Sequence, residues 1–499
     1  MQSLYGKTRK FSVNIEVGLV TLFLTVIAYL SYLLIFPLNS SINVSDSIVF
    51  IMSWLGIFLA IYILITWKKL TGLYFSLYTI FMLFFFMFNF GQSMMWAFGI
   101  HIPSEIGSNP LPGGLGVPTN ADIVNGQMFT LISALMFHFG AIICYKPTKF
   151  KSKNERSGIN KPKTQKAIFI VSIIIGSVAI PITIISAFDS LHLALTSGYK
   201  ALYYSDYAEN KSSIVTLINM FFFPSLVGLL IGSSYNKKVL SIVYFIFALY
   251  LIVNLLAGDR GSWIYKIVIL VWLIHVCYKP INFRKMTKYI VVSIIGLYVV
   301  EAIVSVRNVG LSSITLEEFI DAFSFENSPL ISTMFEMGGS MSVVITLLMY
   351  GWDIWPYTNT YMLAILGMVT NEIIYAFDVP FSLISSWYSQ EYLGISWGAG
   401  FSIVAEALLN SNPYIAPFIM MVLGYIISTM IYTDKNMNYK ERPLLFFFMA
   451  SSLHAFLPVT RGFFHLLLKD WFYGVVLYVV LIIIMRTLLF RSNGKPIKE

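Results

Sequence analysis

Residues 239–278 read VLSIVYFIFALYLIVNLLAGDRGSWIYKIVILVWLIHVCY. Two apolar segments flank the short turn Gly258-Asp259-Arg260-Gly261. Lysines precede the first segment, at Lys237-Lys238, and follow the second, at Lys279. Apolar segments of about 17–25 residues are long enough to cross a bilayer as helices. Because lysines and arginines stay on the cytoplasmic side of a membrane, this stretch predicts a helical hairpin whose turn faces outward.

The composition extends this pattern over the whole chain. Of the 499 residues, 57% are hydrophobic and 11% are charged, and the mean hydropathy is +0.76. Apolar segments long enough to cross a bilayer recur from end to end. They predict an all-α polytopic integral membrane protein that forms a single polytopic domain over residues 1–499. The twelve clearest spans are roughly 14–36, 48–67, 73–95, 125–145, 167–188, 214–234, 239–257, 262–278, 289–305, 414–432, 444–458 and 472–490.

The distribution of lysine and arginine gives the orientation of these spans. Twenty-six of the 33 lie in seven short segments: 7–10, 68–69, 146–166, 237–238, 279–288, 435–442 and 486–498. All seven segments fall on one side of the predicted spans, which places that side and both termini in the cytoplasm. The basic residues occupy short loops beside apolar segments, so the net charge of +9 does not indicate binding of nucleic acid.

The longest interval without a basic cluster is 306–413, and the orientation places it outward. It contains three apolar but interrupted segments, 330–351, 361–377 and 398–409. If the first two cross the membrane as a hairpin, the chain has 14 transmembrane helices; if they stay outside or re-enter, it has 12. Interrupted helices at membrane depth line protein or a water-filled cavity. We therefore expect partly re-entrant helices around an outward-opening cavity.

Three arginines lie on the outward side against the charge rule, namely Arg260, Arg307 and Arg461. Arg260 stands near the N-terminus of a predicted helix, where an arginine and free N–H groups together suit an anion. Guanidinium groups also match a diphosphate with paired hydrogen bonds. Each arginine could instead only anchor the chain at lipid headgroups. Lys266, about 9 Å below Arg260 along the helix, is either a further phosphate ligand or a member of a buried ion pair.

Two residues are candidate general bases. Glu336 lies beside Gly338-Gly339-Ser340, where small residues allow a close backbone approach. Carboxylates within apolar segments are functional by default, although several could only neutralise the arginines. His465 can accept a proton near neutral pH, and it shares a helix face with Arg461 if that stretch is helical. Two other histidines, His138 and His454, are expected to be packing residues.

Aromatic side chains crowd the outward interval, and the motifs of soluble enzymes are missing. The aromatic residues suit an interfacial belt or, alternatively, a platform for carbohydrate. The chain has no nucleotide-binding loop, serine-hydrolase or zinc-protease motif, and no Asp-x-Asp pair. We expect no metal and no cofactor, so the substrate must arrive already activated and from the membrane. The aromatic residues are Trp352, Trp355, Tyr357, Tyr361, Trp387, Tyr388, Tyr392 and Trp397.

These features resemble the Wzy-type polymerases of O-antigen and capsular polysaccharide. The resemblance implies a membrane glycosyltransferase of GT-C-like architecture at the outer face of the bacterial cytoplasmic membrane. It implies that a growing glycan leaves undecaprenyl diphosphate and joins the next undecaprenyl-diphosphate-linked oligosaccharide. It also implies membrane lipid as surroundings, with a chain-length regulator and a flippase of the same pathway as partners. The matching residues are Gly258-Asp259-Arg260-Gly261, Arg307, Glu336-Met337-Gly338-Gly339 and Thr460-Arg461-Gly462.

In such a reaction, Glu336 or His465 would act as the base. The cations expected to bind the diphosphate are Arg260, Arg307, Arg461 and Lys266. Three alternatives remain open from the sequence: an O-antigen ligase that uses the same donor, a flippase for lipid-linked oligosaccharide, and a non-catalytic assembly protein. A flippase should have cations along a pathway through both leaflets, whereas these cations lie mostly outward.

Overall fold

The structure is a computed structural model. It describes residues 2–39, 44–145, 161–197, 213–257, 262–282, 328–395 and 398–491, with isolated positions between 284 and 298. Within these residues the chain is helical, and the one β-type pairing there is an isolated bridge between Ile106 and Asn109. The all-α prediction is confirmed for the described part of the chain.

The helices follow the predicted spans closely. In the first part of the chain they are α1 (Gln2–Asn39), α2 (Asp46–Thr71), α3 (Leu77–Trp96), α4 (Asn120–Cys144), α5 (Lys161–Ser197), α6 (Ser213–Met220), α7 (Phe222–Gly232), α8 (Lys237–Ala257) and α9 (Ser262–Leu273). They continue with α10 (Pro329–Gly338), α11 (Met341–Tyr350), α12 (Thr360–Leu366), α13 (Glu372–Ala376), α14 (Ile384–Ser386), α15 (Ile403–Leu409), α16 (Ala416–Met430), α17 (Pro443–Phe456), α18 (Phe464–Trp471) and α19 (Tyr478–Arg491).

Ten helices in the described residues are long and apolar enough to cross a membrane, and two shorter apolar helices accompany them. The chain is therefore a polytopic membrane protein, as predicted. The last span begins at Phe464 instead of residue 472, because a π-helical turn joins α18 to α19 without a break. The predicted span 289–305 lies outside the continuously described residues. The ten are Ile15–Leu38, Asp46–Thr71, Leu77–Trp96, Asn120–Cys144, Pro162–Thr196, Ile214–Gly232, Lys237–Ala257, Leu330–Tyr350, Pro443–Arg461 and Phe464–Leu489; the shorter two are Trp263–Tyr278 and Ala416–Met430.

The two segments whose path the sequence left open fold differently from each other. Leu330–Tyr350 is long and apolar enough to cross a membrane, although a turn at Gly339-Ser340 separates α10 from α11. Residues 361–377 instead lie mostly in α12 and α13, which have seven and five residues. Helices this short cannot cross a hydrocarbon layer of about 30 Å. These two segments therefore do not form a hairpin of two full spans.

The chain divides into two compact units. The first consists of residues 1–151, 334–437 and 456–469, and the second consists of residues 152–333, 438–455 and 470–499. The prediction of one polytopic domain over the whole chain stays a prediction.

In the first unit, α4 crosses α16 at a pair of glycines. A Cβ added at Gly140 would lie 1.9 Å from the Met421 carbonyl oxygen, and one added at Gly424 would lie 2.0 Å from the Phe137 carbonyl oxygen. Backbones come this close only where each helix has a glycine at the point of contact. In lipid, apolar helices gain no hydrophobic free energy from contact with each other. Small residues let their backbones approach closely, and the van der Waals contact then stabilises the pair.

Polar side chains inside the first unit also find partners between helices. The buried His138 of α4 places Nε2 2.8 Å from the Thr66 hydroxyl and Nδ1 2.8 Å from the Tyr78 hydroxyl. Both ring nitrogens are thus satisfied by α2 and α3, as a buried polar group requires. The expectation that His138 is a packing histidine is confirmed.

The second unit is built around α5, which packs against α7 and α19. The Tyr478 hydroxyl of α19 lies 3.0 Å from the Ser172 hydroxyl and 3.3 Å from that of Ser225. Gly232 of α7 approaches α5 so closely that an added Cβ would lie 2.6 Å from the Phe169 nitrogen. Small and hydroxyl-bearing residues therefore fix these helices, as is typical of membrane bundles.

Replacing Gly424 tests the crossing of α4 and α16. A Gly424→Leu variant must separate two backbones, so we expect it to lose at least about 1–3 kcal/mol of stability, the usual cost of overpacking. The matched control is Gly18→Leu, because a Cβ at Gly18 meets nothing within 4 Å. Thermal unfolding of both proteins in detergent should show a lower midpoint for Gly424→Leu alone, and equal midpoints would contradict the close crossing.

Candidate functional site

Arg461 lies at the end of the 3₁₀-helical turn Leu457–Arg461 in the first unit. Gly462 has an extended backbone, and α18 begins only at Phe464. The chain from Arg461 to His465 is therefore not one continuous helix. The condition under which these two side chains would share a helix face is not met, because Gly462 interrupts the helical turn between them.

Two buried hydrogen bonds hold the backbone on either side of Arg461. Before it, Asn89 of α3 donates from Nδ2 to the Thr460 carbonyl oxygen at 2.9 Å. After it, the Phe464 N–H donates to Oε2 of Glu406 at 2.8 Å. Both bonds join residues far apart in sequence within the first unit. They fix the position of Arg461 before any ligand binds, which is the geometry that preorganised charge requires.

The Arg461 side chain is half-buried and contacts mainly apolar groups. Its Nη1 lies 3.2 Å from the Met337 sulfur, and its guanidinium carbon lies 5.9 Å from the centre of the Phe88 ring. Its Nε lies 3.9 Å from the place where Gly400, with φ of +77°, would carry a Cβ. Within the described residues, Arg461 forms no ion pair. Its charge is therefore available to an anionic ligand.

Glu406 is the centre of the hydrogen-bond network beside Arg461. It lies on α15, which begins where the Ser402 hydroxyl accepts the Ala405 N–H. Glu406 is 0% exposed, and its Oε1 accepts the Thr360 hydroxyl at 2.6 Å. Asn410, at the end of α15, accepts the Thr360 N–H at 2.7 Å and donates to the Thr360 hydroxyl at 2.6 Å. The carboxyl group thus links the N-termini of α12 and α18.

The burial of Glu406 also determines its protonation. Burial raises the pKa of the Glu406 carboxyl to about 7, while the hydrogen bonds from Thr360 and Phe464 act in the opposite direction. The positive end of the α18 helix dipole favours an acidic partner at this place. Because both oxygens accept hydrogen bonds in the interior, Glu406 is an anchor of the fold around Arg461.

Glu336 is exposed on α10. The close backbone approach expected beside it is present, and the partner is α3: a Cβ at Gly338 would lie 2.4 Å from the Gln92 nitrogen. The next residue, Met337, contacts Arg461 through its sulfur. Gly338 therefore allows α10 to pack closely against α3. The exposed Glu336 carboxylate lies next in sequence to Met337, the residue that contacts Arg461.

His465 lies in a packed interior instead of at a surface. The side chain is 4% exposed, and its Nε2 lies 3.2 Å from Oδ1 of Asn371. Its ring is 4.9 Å from that of Phe381, and a Cβ at Gly367 would meet its Cε1 at 2.3 Å. Lys469, one helical turn further, also donates to Asn371 Oδ1, at 3.4 Å. The histidine therefore holds α18 against the segment around α13.

The remaining sequence candidates lie elsewhere or outside the described residues. Lys266 is on α9 in the second unit, and its ammonium lies 5.3 Å from the centre of the Tyr250 ring. Arg260 and Arg307 lie outside the described residues. The first unit thus contains three of the six candidates, Arg461, Glu336 and His465.

The sequence did not single out the polar partners that support Arg461. Asn89, Thr360 and Asn371 lie in or beside apolar stretches, and each makes a hydrogen bond to a residue distant in sequence. An amide within an apolar helix needs a partner, because an unsatisfied polar group is costly there. That rule could have marked Asn89, although it could not have named Thr360 or Asn371.

Aromatic residues between 355 and 392 form a cluster in the first unit. The Trp355 ring lies 4.8 Å from that of Trp387 and 4.9 Å from that of Tyr357, with both pairs edge to face. Tyr392 stacks on both Trp387 and Tyr388, at 5.7 Å and 5.8 Å. Trp397 lies outside the described residues. Whether the cluster is an interfacial belt or a carbohydrate platform stays a prediction.

Comparison with known families gives one match that covers nearly the whole chain. The model of the family described as O-antigen polysaccharide polymerase Wzy matches residues 19–493. Searches of curated proteins and of solved structures give no match.

Removing the Glu406 carboxyl should loosen the structure around Arg461. Glu406→Ala leaves the Thr360 hydroxyl and the Phe464 N–H without their acceptor, at about 1–3 kcal/mol for each group. Glu406→Gln keeps one acceptor oxygen, so its loss should be smaller. The control is Glu372→Ala, since that side chain is exposed. The thermal unfolding midpoint should be highest for Glu372→Ala, lower for Glu406→Gln and lowest for Glu406→Ala. A Glu406→Ala protein as stable as the control would show that Glu406 does not stabilise this part of the fold.

Proposed function

The chain belongs to the O-antigen polysaccharide polymerase Wzy family and polymerises repeat units into O-antigen, and we propose that its donor is a glycan on a lipid diphosphate. In this proposal the enzyme lies in the bacterial cytoplasmic membrane with its site at the outer face. It transfers the growing chain to the next undecaprenyl-diphosphate-linked repeat. A flippase of the pathway supplies that repeat, and a chain-length regulator limits the product.

The observation that supports this donor is the fixed, half-buried Arg461 without an ion pair among the described residues. In the transfer, the bond between the anomeric carbon and the diphosphate oxygen breaks, and the diphosphate leaves with the electron pair. A hydroxyl oxygen of the acceptor forms the new bond to that carbon. Because negative charge grows on the leaving diphosphate, a preorganised guanidinium stabilises the transition state. Arg260 and Arg307 remain the further predicted ligands of the diphosphate, whereas Lys266, the fourth cation that the sequence suggested, lines a cavity of the second unit together with Asp470.

The acceptor hydroxyl must lose its proton to a base, and the exposure of Glu336 supports this residue over His465. A base has to come within hydrogen-bond reach of the hydroxyl that it deprotonates. Glu336 is exposed, whereas His465 is 4% exposed and packed against Asn371 and Phe381. Direct displacement with this base inverts the anomeric configuration of the donor sugar.

The family match favours polymerisation over the alternatives that the sequence left open. A ligase would pass finished polymer from the same donor to another lipid, and a flippase would move lipid-linked repeats without forming a glycosidic bond. The products that accumulate without the protein distinguish the three. Loss of a polymerase leaves single repeats, loss of a ligase leaves polymer on the carrier lipid, and loss of a flippase leaves no outward repeats.

The test of this proposal is complementation of a strain that lacks the gene. We expect single repeats and no ladder on a glycan gel, with the ladder restored by the wild-type gene. Arg461→Ala should reduce polymer formation by about 10²–10³-fold, the usual loss when one charge-stabilising donor is removed. Arg461→Lys keeps the charge but loses the paired donors, and we expect it to restore little.

The matched control for Arg461→Ala is Arg486→Ala, which removes an arginine on α19. Membrane levels of all variants are compared by immunoblot. A normal ladder from Arg461→Ala at wild-type protein level would exclude the role proposed for this side chain, and polymer on the carrier lipid in the deletion strain would indicate a ligase.

The two candidate bases predict different kinds of defect. Glu336→Gln should lower kcat without changing the unfolding midpoint, because Glu336 is exposed. His465→Ala should first lower the unfolding midpoint, because it leaves a cavity against Phe381. Assays with purified protein and lipid-linked repeats measure both quantities. An unchanged kcat in Glu336→Gln would remove Glu336 from the mechanism.

A further inference from the structure

The second unit contains a cavity of about 310 Å³ among its helices, lined by both polar and apolar side chains. Its lining comes from α5, α6, α7, α8, α9 and α17, together with residues 470–475. The strongly polar groups are Lys266, Asp470, His454, Asn219 and Asn254. Ionisable and amide side chains among apolar helices are costly, so a cluster of them at one cavity indicates a binding function.

The chemistry of the lining favours a sugar over a phosphate as the ligand of this cavity. A phosphate group is bound by donors and cations, and a carboxylate in its site would repel it. Here Lys266, which only donates, shares the cavity with Asp470, which only accepts when ionised. Sugar hydroxyl groups both donate and accept. A lining that offers both kinds of partner therefore fits a hydroxyl-rich ring.

Local hydrogen bonds orient the two amides in complementary ways. Asn219 accepts the Thr183 hydroxyl at its Oδ1, at 2.9 Å, which leaves its NH₂ as the group to donate to a ligand. Asn254 donates its NH₂ to the Tyr250 carbonyl oxygen at 2.7 Å, which leaves its Oδ1 as an acceptor. The cavity thus presents one amide donor and one amide acceptor.

A buried hydroxyl supplies a further observation that points to a ligand. Ser451 lines the cavity, is 0% exposed, and its hydroxyl has no hydrogen-bond partner among the described residues. A buried polar atom normally has a partner, so this hydroxyl suits a group that enters the cavity.

Aromatic rings provide the apolar side of the same cavity. Tyr250 and Phe222 line it with their ring centres 4.8 Å apart. His454 stacks on Phe223 at 4.5 Å, which fixes the plane of the imidazole. Sugar rings present C–H faces that pack on aromatic rings while their hydroxyl groups bind polar side chains, so the cavity offers both surfaces.

We propose that this cavity binds one sugar ring of the lipid-linked glycan. That the sugar comes from a lipid-linked repeat rests on the proposed function, whereas the ligand class rests on the lining. A volume of about 310 Å³ is at the small end of ligand pockets, which run from about 300 to 1,000 Å³. It suits a single ring better than a long oligosaccharide. The site gives the enzyme a means to select its repeat unit by one sugar.

The test measures binding of two probes to the full-length protein in lipid nanodiscs. The first probe is the diphosphate-linked single repeat extracted from the deletion strain, and the second is the same isoprenyl diphosphate without sugar. The variants are Asn254→Leu and Lys266→Met, and the charge-matched control is Lys237→Met, an exposed lysine at the start of α8. Unfolding midpoints establish that each variant is folded.

The expected result is about tenfold weaker binding of the sugar-bearing probe by both variants, from the loss of one hydrogen bond or charged contact. Binding of the sugar-free diphosphate should stay at the wild-type level, as should both affinities of Lys237→Met. In both variants, KM for the lipid-linked repeat should rise by the same factor as the dissociation constant, while kcat stays nearly constant.

Two results would overturn the proposal. If both probes lose affinity equally in Lys266→Met, the lysine contacts phosphate and the cavity is not a sugar site. If folded Asn254→Leu and Lys266→Met bind the repeat as the wild type does, the cavity does not hold the substrate. The proposed function survives either result, because it is tested by the glycan gel of the deletion strain.

Discussion

The hydrogen bond from the Phe464 N–H to the buried Glu406 carboxyl is the constraint on which the candidate site depends. This bond, 2.8 Å long, joins the start of α18 to α15. The same carboxyl also holds α12 by accepting the Thr360 hydroxyl. Without this acceptor, the first turn of α18 would bury an unsatisfied N–H group, and the backbone after Arg461 would lose its fixed position. The carboxyl thus holds three interrupted segments of the chain together as a rigid support for one arginine.

Hydropathy and charge predicted the span positions well, because crossing a bilayer requires a minimum length of apolar helix. They did not predict which helices pair. The contact of α4 with α16 depends on Gly140 and Gly424, and a glycine within an apolar run does not name its partner. The sequence also left open whether the chain from Arg461 to His465 is helical, because this stretch lies between two predicted spans. The structure gives Gly462 an extended backbone, so the two side chains do not share a helix face.

At the site, the sequence identified the residues that bear charge but not those that hold them. Arg461 was found because the predicted orientation places it on the outward side, where a cation departs from the charge rule. Glu406 lies in the apolar segment 398–409, and its two partners, Thr360 and Phe464, are distant in sequence, so only the fold brings them together. His465 was a reasonable base by chemistry, and its burial against Asn371 and Phe381 could not be read from spacing.

The most direct test of this account is a double-mutant cycle on polymerisation by the purified protein. The cycle compares kcat/KM of wild type, Glu406→Ala, Arg461→Ala and the double variant, at a temperature where all four are folded. If Glu406 acts by positioning Arg461, the double variant should be no slower than Arg461→Ala alone, because neighbouring residues that serve one function are not additive. Fully additive losses would contradict the account, since they would mean that the carboxyl and the guanidinium act independently.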